Sequence, residues 1–151
     1  MSHNKRNNER GWTSSVEKYK DCLFPCRLSV EEYMENMRRS FVAINTPAVV
    51  SCHGWKLAEY LALGKCIVSV PLVNDLPYPL EHGANVHFVD GDAKSVMEAV
   101  KYIYEHPNYR QKLERGARAY FEKYCAPEQT IRLLVQNVGI ETSKNWAEKV
   151  L

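Results

Sequence analysis

The stretch that decides the fold is HGWKLAEYLALGKCIVSVP, residues 53–71. Its first half carries apolar residues at helical spacing and predicts a helix from Trp55 to Leu63, with Gly64 as a left-handed stop. Its second half, Cys66–Val70, is a short apolar run with branched residues and predicts a strand buried on both faces. A helix that leads at once into such a strand indicates a parallel sheet covered by helices.

The alternation of helices and strands continues on both sides of this stretch. Upstream, Ser29 and Glu32 form a capping-box pattern at the start of a helix, and Phe41–Asn45 predicts a second buried strand. Downstream, Val86–Val89 predicts a third strand, and Asp92 is placed to cap the helix that follows. Helices are then predicted from Asp92 to about Glu105, from Asn108 to about Tyr124 and from Pro127, with inner faces that include Ile103, Tyr104, Leu113, Ala117, Tyr120, Ile131 and Leu134.

The sequence therefore predicts an α/β fold, an incomplete Rossmann-like parallel sheet of three to four strands flanked by helices, with a helical C-terminal tail. The fourth strand would be Cys22–Pro25. A complete doubly wound domain has about six strands, so the opening half of such a sheet is missing from the pattern. Residues 1–15 are polar and without periodicity and are expected to form a disordered leader. Residues 16–151 are then a single, partial domain.

Composition excludes several classes of protein. The chain has 151 residues, of which 45% are hydrophobic and 25% charged, with a formal net charge of +2. This balance is that of a globular domain and gives no reason to expect a nucleic-acid partner. No run reaches the roughly 18 apolar residues of a membrane span, and no apolar segment follows the polar leader as a secretory signal requires, so we expect a cytoplasmic protein without a transmembrane segment. Five scattered cysteines argue against a disulfide framework and do not have the spacing of a zinc site.

The residues with the clearest chemical potential are Gly54, Trp55, Lys56 and Glu59, at the start of the predicted helix. A helix N-terminus after a strand offers free N–H groups and the positive end of the helix dipole to a phosphate. Gly54 leaves room for a ligand, Lys56 adds a positive charge, and Glu59 lies one turn along, where its carboxylate can accept hydrogen bonds from ribose hydroxyls. The pattern fits a nucleotide. It also fits a tight turn at Gly54 and an exposed ion pair between Lys56 and Glu59.

Residues 53–71 resemble the signature of the C-terminal, nucleotide-sugar donor-binding domain of the retaining GT-B glycosyltransferases (glycosyl transferases group 1). That signature is a glycine, a helix that contains a glutamate, a Gly-Lys-Pro turn and a strand rich in valine and isoleucine. Here Gly54, Glu59, Gly64 and Lys65 match it in order. Residues 28–47 (LSVEEYMENMRRSFVAINTP) are similar to the elements before this signature. Residues 80–124 (LEHGANVHFVDGDAKSVMEAVKYIYEHPNYRQKLERGARAYFEKY) are similar to the strand and helices after it.

The resemblance implies a function for these residues. It implies transfer of a sugar from a nucleotide-diphosphate sugar to an acceptor, without a required metal or cofactor, with Glu59 on the donor ribose and residues 74–80 facing the donor sugar. An earlier glutamate of the family would fall at Ser51, so that carboxylate is absent. The family's basic residues that grip the diphosphate lie on strands missing here; Lys56 is a partial substitute and Arg27 a more distant one.

These departures leave the catalytic residues unassigned and lead us to expect no activity from the chain alone. An acceptor-binding domain or a homo-oligomer partner would have to complete the enzyme. The alternative is a non-catalytic module that binds a nucleotide or another protein, either as a remnant or as one subunit of a bipartite enzyme.

Three further patterns have simpler interpretations than a ligand site. Asp90-Gly91-Asp92 has the form of a metal-binding motif, but Asp92 is interpreted as a helix N-cap. His82 and His87 are interpreted as a polar loop histidine and a half-exposed strand histidine. The aromatic residues Tyr120, Phe121 and Tyr124 are expected in the core rather than as a platform for nucleotide bases.

Overall fold

The computed structural model describes residues 17, 20–22 and 28–137. The chain divides into two compact units, residues 1–35 and residues 36–151. The elements of each unit are given below in chain order.

Several sequence-based predictions fall outside the described residues and stay predictions. These are the leader, the domain boundary at residue 15 and the helix after Ser143. Arg27 lies outside as well. The predicted strand Cys22–Pro25 also lies outside, except for Cys22 itself, which belongs to a short 3-10 turn, Lys20–Cys22.

Helix α1 (Val30–Arg39) begins at the predicted capping box. The Ser29 backbone N–H donates to Glu32 Oε2 at 2.8 Å, and the Glu32 N–H donates back to Ser29 Oγ at 3.1 Å. These bonds satisfy two of the N–H groups that a helix start leaves open. They also hold the pKa of Glu32 below its usual value, the Ser29 N–H having the larger effect. The capping-box prediction is confirmed.

The described part of the chain contains a three-stranded parallel sheet in the order β1-β2-β3. The strands are β1 (Ala43–Asn45), β2 (Ile67–Ser69) and β3 (His87–Phe88). Ile44 lies opposite Val68, and Ser69 lies opposite Phe88. The predicted α/β class with an incomplete parallel sheet is confirmed.

Four helices connect and follow these strands. They are α2 (Trp55–Ala62), α3 (Ala93–Glu105), α4 (Pro107–Tyr120) and α5 (Pro127–Asn137). Between the last two lies a π-helical turn, Phe121–Cys125, closed by the Ala126 N–H donating to the Phe121 carbonyl at 2.8 Å. The helix predicted to run to about Tyr124 is thus α4 together with this wider turn. The helix predicted from Pro127 is confirmed as α5.

The central strand β2 has a hydrophobic cluster on each face, because its side chains alternate between the two. On one face Ile67 packs with Leu57 and Leu61 of α2. On the other, Val68 packs with Ala99 and Ile103 of α3. Helix α4 adds to both clusters the inner stripe predicted for it; these residues are Leu113, Ala117 and Tyr120, all of them buried.

Some predicted inner residues are exposed, and these predictions are wrong. Ile44 is 47% exposed because β1 is an edge strand in the described sheet. Tyr104 is 74% exposed because the buried stripe of α3 runs through Ala99 and Ile103, and one residue further is about 100° around the helix. On α5, which packs against the π-helical turn, Ile131 and Leu134 are 55% and 61% exposed.

Gly64 ends α2 as predicted, with a left-handed backbone at φ +60°. Its N–H donates to the Leu61 carbonyl at 3.0 Å, and the Lys65 N–H donates to the Tyr60 carbonyl at 2.9 Å. This pair of bonds is the Schellman motif, which satisfies the last carbonyls of a helix. A glycine is needed here because an added Cβ would also lie 3.1 Å from Arg118 Cβ.

The structure describes the side-chain environments of three cysteines, Cys52, Cys66 and Cys125, and these environments differ. Cys66 is fully buried, and burial is the main cause that raises its pKa to about 12, whereas Cys52 is exposed. We expect iodoacetamide to alkylate Cys52 in the folded protein and to spare Cys66 until denaturant is added, because only an accessible thiolate reacts. Peptide mapping by mass spectrometry measures both sites in one sample. Equal labelling of the two in the folded protein would contradict the buried position of Cys66.

Candidate functional site

The candidate site lies at the carboxyl edge of the sheet. The three strands run parallel, so their carboxyl ends meet at one edge. Strand β1 leads through residues 46–54 into α2, and β3 leads through residues 89–92 into α3. Two helix N-termini therefore face this edge, where ligands bind in open α/β sheets.

Gly54 is the N-cap of α2 and offers it no side-chain hydrogen bond. Its backbone has φ −73° and ψ 147°, which any residue adopts. An added Cβ would meet only Ala48 Cβ, at 4.0 Å, which is ordinary contact. The alternative in which Gly54 relieves a tight turn therefore has no support in the backbone. The backbone and the packing would both accept a side chain, so the local reason for a glycine here is the preference of the N-cap position.

The other predicted site residues lie on the first turns of α2. Trp55 is 89% exposed, Lys56 is exposed and Glu59 is half-buried. The opposite face of the helix is fixed to the core by Leu57 and Leu61. An exposed indole, an ammonium group and a carboxylate thus lie within two turns of a helix start. Residues three and four apart are neighbours on a helix surface.

The N-terminus of α3 differs from that of α2, because the side chain of its N-cap residue already binds two of its N–H groups. Asp92 Oδ1 accepts from the Lys94 N–H at 2.8 Å and from the Ser95 N–H at 3.0 Å. The Ser95 N–H is the main cause that holds the pKa of Asp92 below its usual value. The predicted N-cap role of Asp92 is confirmed. Of the two helix starts at this edge, only α2 has an N-cap residue without a side chain.

The segment between β1 and α2 contains two residues in the left-handed region. Val50 has φ 59° and ψ 34°, and Ser51 has φ 57°. A β-branched residue in this region costs on the order of 1–3 kcal/mol, and such strain clusters at functional sites. The Ser51 carbonyl accepts from Asn74 Nδ2 at 3.2 Å. This bond brings the start of residues 74–80 next to the segment that enters α2.

Asn45 and Ser69 are a buried polar pair that the sequence analysis did not identify. They end β1 and β2 at the candidate edge and are 4% and 1% exposed. Asn45 Nδ2 donates to Ser69 Oγ at 2.8 Å, and Ser69 Oγ–H donates to the Val70 carbonyl at 2.7 Å. Each polar group thus has a partner, and the two strand ends are joined. The signal that could have found them is a polar residue at the end of each apolar run.

The segment between β3 and α3, residues 89–92, also approaches the carboxyl edge of the sheet closely. Gly91 has φ +92°, and an added Cβ would lie 2.5 Å from Val70 Cγ1. The residues after β3 therefore pass directly against the end of β2. Only a glycine fits there, since both the backbone and the space exclude a side chain.

His82, an exposed loop residue as predicted, and His87, on β3, lie close together. Their ring centroids are 4.7 Å apart. The Phe88 N–H donates to His82 Nδ1 at 3.0 Å, and His87 Nδ1 lies 2.9 Å from the Tyr109 hydroxyl. The predicted half-exposed state of His87 agrees with its intermediate burial. Their contact was not predicted, because it depends on how residues 81–86 fold back on β3.

Metal chemistry and membrane insertion can be checked over the described ranges. Within residues 17, 20–22 and 28–137, no three histidine, cysteine, aspartate or glutamate side chains are grouped so that they could hold a metal ion. Across the same described part of the chain, no helix has both the length and the apolar character needed to cross a bilayer.

Comparison of the sequence with models of protein families and with curated proteins finds no match in either set. The resemblance to the GT-B donor-binding domain therefore depends on the quoted motifs alone.

Proposed function

We propose that this chain is the donor-binding half of a GT-B-type glycosyltransferase and binds a nucleotide-diphosphate sugar at the N-terminus of α2. The diphosphate would lie against the N–H groups after Gly54, with Lys56 as a mobile counter-charge. The ribose would lie one turn further, within reach of the Glu59 carboxylate. When the sugar is transferred to an acceptor, the helix dipole and Lys56 would stabilise the leaving nucleoside diphosphate.

The observation that carries this proposal is the contrast between the two helix starts at the carboxyl edge. At α3 a carboxylate occupies the N-terminal N–H groups, and an anion would meet both that charge and a satisfied cap. At α2 the cap residue is Gly54, which has no side chain although the backbone would accept one. A phosphate is the kind of group that binds at such a helix start.

A second function, binding without catalysis, is favoured by Ser51. At this position the GT-B family has a carboxylate near the donor sugar, whereas here an exposed serine lies in a left-handed turn. The chain would then bind a nucleotide or a partner protein and require a separate acceptor-binding domain, or another subunit, for any transfer. With or without transfer, a bound nucleotide would lie at the same helix start, so one binding experiment tests the part that the enzyme and a nucleotide-binding module share.

The test is calorimetric titration of the protein with UDP, GDP and their sugar conjugates. We expect one of them to bind saturably, and we expect Glu59→Ala to weaken that binding about tenfold, a loss of about 1.4 kcal/mol. We also expect Gly54→Ala to weaken it about tenfold or more, since a methyl group would stand where the phosphate approaches the backbone. Transfer to water or to a simple acceptor, measured by released nucleoside diphosphate, then separates the enzyme from the binding module.

Glu105→Ala is the matched control. Glu105 is an exposed helix glutamate in an ion pair with Lys101 at 3.9 Å, far along α3 from the carboxyl edge. Its loss should leave nucleotide affinity unchanged. If no nucleotide binds at millimolar concentration, or if Glu105→Ala weakens binding as much as Glu59→Ala, the donor site is not at α2.

A further inference from the structure

A hydrogen bond protects the outer edge of β3. The Val89 N–H faces β2 and donates to the Ser69 carbonyl at 2.9 Å. In a parallel strand the neighbouring N–H points the other way, so the Phe88 N–H faces out of the sheet. There it donates to His82 Nδ1 at 3.0 Å. The His82 ring therefore satisfies an N–H group that an edge strand would otherwise leave open.

Residues 81–86 form a closed turn around His82. The Gly83 N–H donates to the Val86 carbonyl at 2.8 Å, and the Glu81 N–H donates to Asn85 Oδ1 at 2.8 Å. These bonds hold the turn itself together. The His82–Phe88 bond is a separate contact, which ties the turn to the strand edge.

The contact requires a neutral His82. A nitrogen that accepts a hydrogen bond carries no proton, so His82 must be the tautomer with its proton on Nε2. An imidazolium carries protons on both nitrogens and cannot accept from the Phe88 N–H. In that state the Nδ1–H group of His82 would face the Phe88 N–H group, and two donors repel each other. Histidine is the side chain that makes this change between about pH 5 and pH 8.

We propose that His82 is an acid-operated latch on the outer edge of β3, closed on the Phe88 N–H while its imidazole is neutral and released when the imidazole gains a proton. Release would free the edge N–H of the strand and loosen the attachment of residues 81–86. The same event would place a positive charge 4.7 Å from the His87 ring, measured between ring centroids.

Titratable groups from several elements lie around His82 and His87. An open cavity of about 680 Å³ is lined by both rings, together with Asp90 after β3, Glu98 and Tyr102 from α3, and Tyr109 and Lys112 from α4. His106 stacks on Tyr102 at 4.1 Å, and Glu81 precedes His82 in the turn. Whatever the charges of these groups, an imidazolium cannot accept the Phe88 N–H.

His87 adds to the acid sensitivity. Burial, and to a lesser extent the His82 ring, hold its pKa below the ordinary value of 6.5. The unfolded chain therefore takes up this proton at a higher pH than the folded chain does. Stability from this group is fully present above about pH 6.5 and is lost as the pH falls through the lowered value. Acidification thus acts on both rings in the same direction.

Amide hydrogen exchange on the intact chain tests the latch. Between about pH 7.5 and about pH 5.5 we expect the protection factor of the Phe88 amide to fall about tenfold, as loss of one hydrogen bond predicts. The Val89 amide, bonded to Ser69 across the sheet, should lose only the protection that the lower stability through His87 removes from both amides. In His82→Ala the Phe88 amide should be weakly protected at both pH values. The neutral tautomer of His82, read from nitrogen chemical shifts, should carry its proton on Nε2.

His106→Gln is the control variant, because it removes a neighbouring histidine that has no bond to the strand edge. Its Nδ1 lies 2.7 Å from the Tyr102 carbonyl, within the end of α3. This variant should keep the pH dependence of Phe88. The latch is refuted if the protection of Phe88 relative to that of Val89 is the same at both pH values, or if this relative change persists in His82→Ala.

Discussion

Gly116→Ala is expected to destabilise the protein by about 3 kcal/mol. Gly116 lies within α4, where the backbone of residues 84–85 crosses the helix. An added Cβ would lie 1.9 Å from the Ala84 carbonyl oxygen and 2.8 Å from its carbonyl carbon. Both are backbone atoms of the turn that the Glu81–Asn85 hydrogen bonds hold closed. The turn cannot move aside as a flexible side chain would.

The sign of this prediction follows from tertiary contact and not from helix propensity. In an isolated helix alanine is favoured over glycine by about 1 kcal/mol, so without the contact the substitution would stabilise α4. Urea denaturation followed by far-ultraviolet circular dichroism gives the free energy of unfolding. An unchanged or raised unfolding midpoint would show that residues 84–85 do not pack on α4.

Gly54→Ala is the matched control for this experiment. Its N-cap position favours glycine over alanine by roughly 0.5–1 kcal/mol, and the loss of chain freedom in the unfolded state favours alanine by a similar amount. The two effects nearly cancel, because the added Cβ meets only Ala48 Cβ at 4.0 Å. We expect a change within about 0.5 kcal/mol. The same variant is expected to weaken nucleotide binding about tenfold or more, so stability and binding can be separated at this residue.

The glycines show what the sequence could and could not predict. Gly64 was predicted as a helix stop because its role is local: the helix ends there, and the backbone bonds are within five residues. Gly116 sits in the middle of a predicted helix, and nothing in its neighbours indicates that a distant turn crosses it. Contacts between segments far apart in the chain leave no periodic signal.

The difference between local patterns and contacts between distant segments also decides which parts of the core and of the candidate site could be predicted. Strand β2 was predicted because a strand buried on both faces is apolar at every position. An apolar pattern does not say whether a partner covers it, which is why Ile44, Ile131 and Leu134 were wrongly assigned to inner faces. The helix start at Gly54 could be identified from local sequence. The Asn45–Ser69 bond could not, since it joins two strands whose order the sequence does not state.

Leu113→Ala is expected to destabilise the protein by about 3–4 kcal/mol. Leu113 is fully buried on α4 and belongs to the cluster that includes Val68 of β2 and Ile103 of α3. Removing its side chain leaves a cavity between two helices and the central strand. The surrounding atoms belong to three elements that are fixed by other contacts, so the site cannot collapse fully and the cavity adds to the lost transfer free energy.

Leu134→Ala makes the same chemical change on α5, where the side chain is 61% exposed, and should cost less than about 1 kcal/mol. The sequence pattern assigned both leucines to inner faces, but only Leu113 is buried in the structure. Because the substitution is the same at both positions, the difference in the free energy of unfolding between the two variants measures the effect of burial. Thermal and urea unfolding of the two variants in parallel measures the difference. A large loss from Leu134→Ala, close to that from Leu113→Ala, would mean that the apolar face of α5 is covered in solution. A loss confined to Leu113 would mean that the core lies between the sheet and helices α2 to α4, with α5 contributing little to stability.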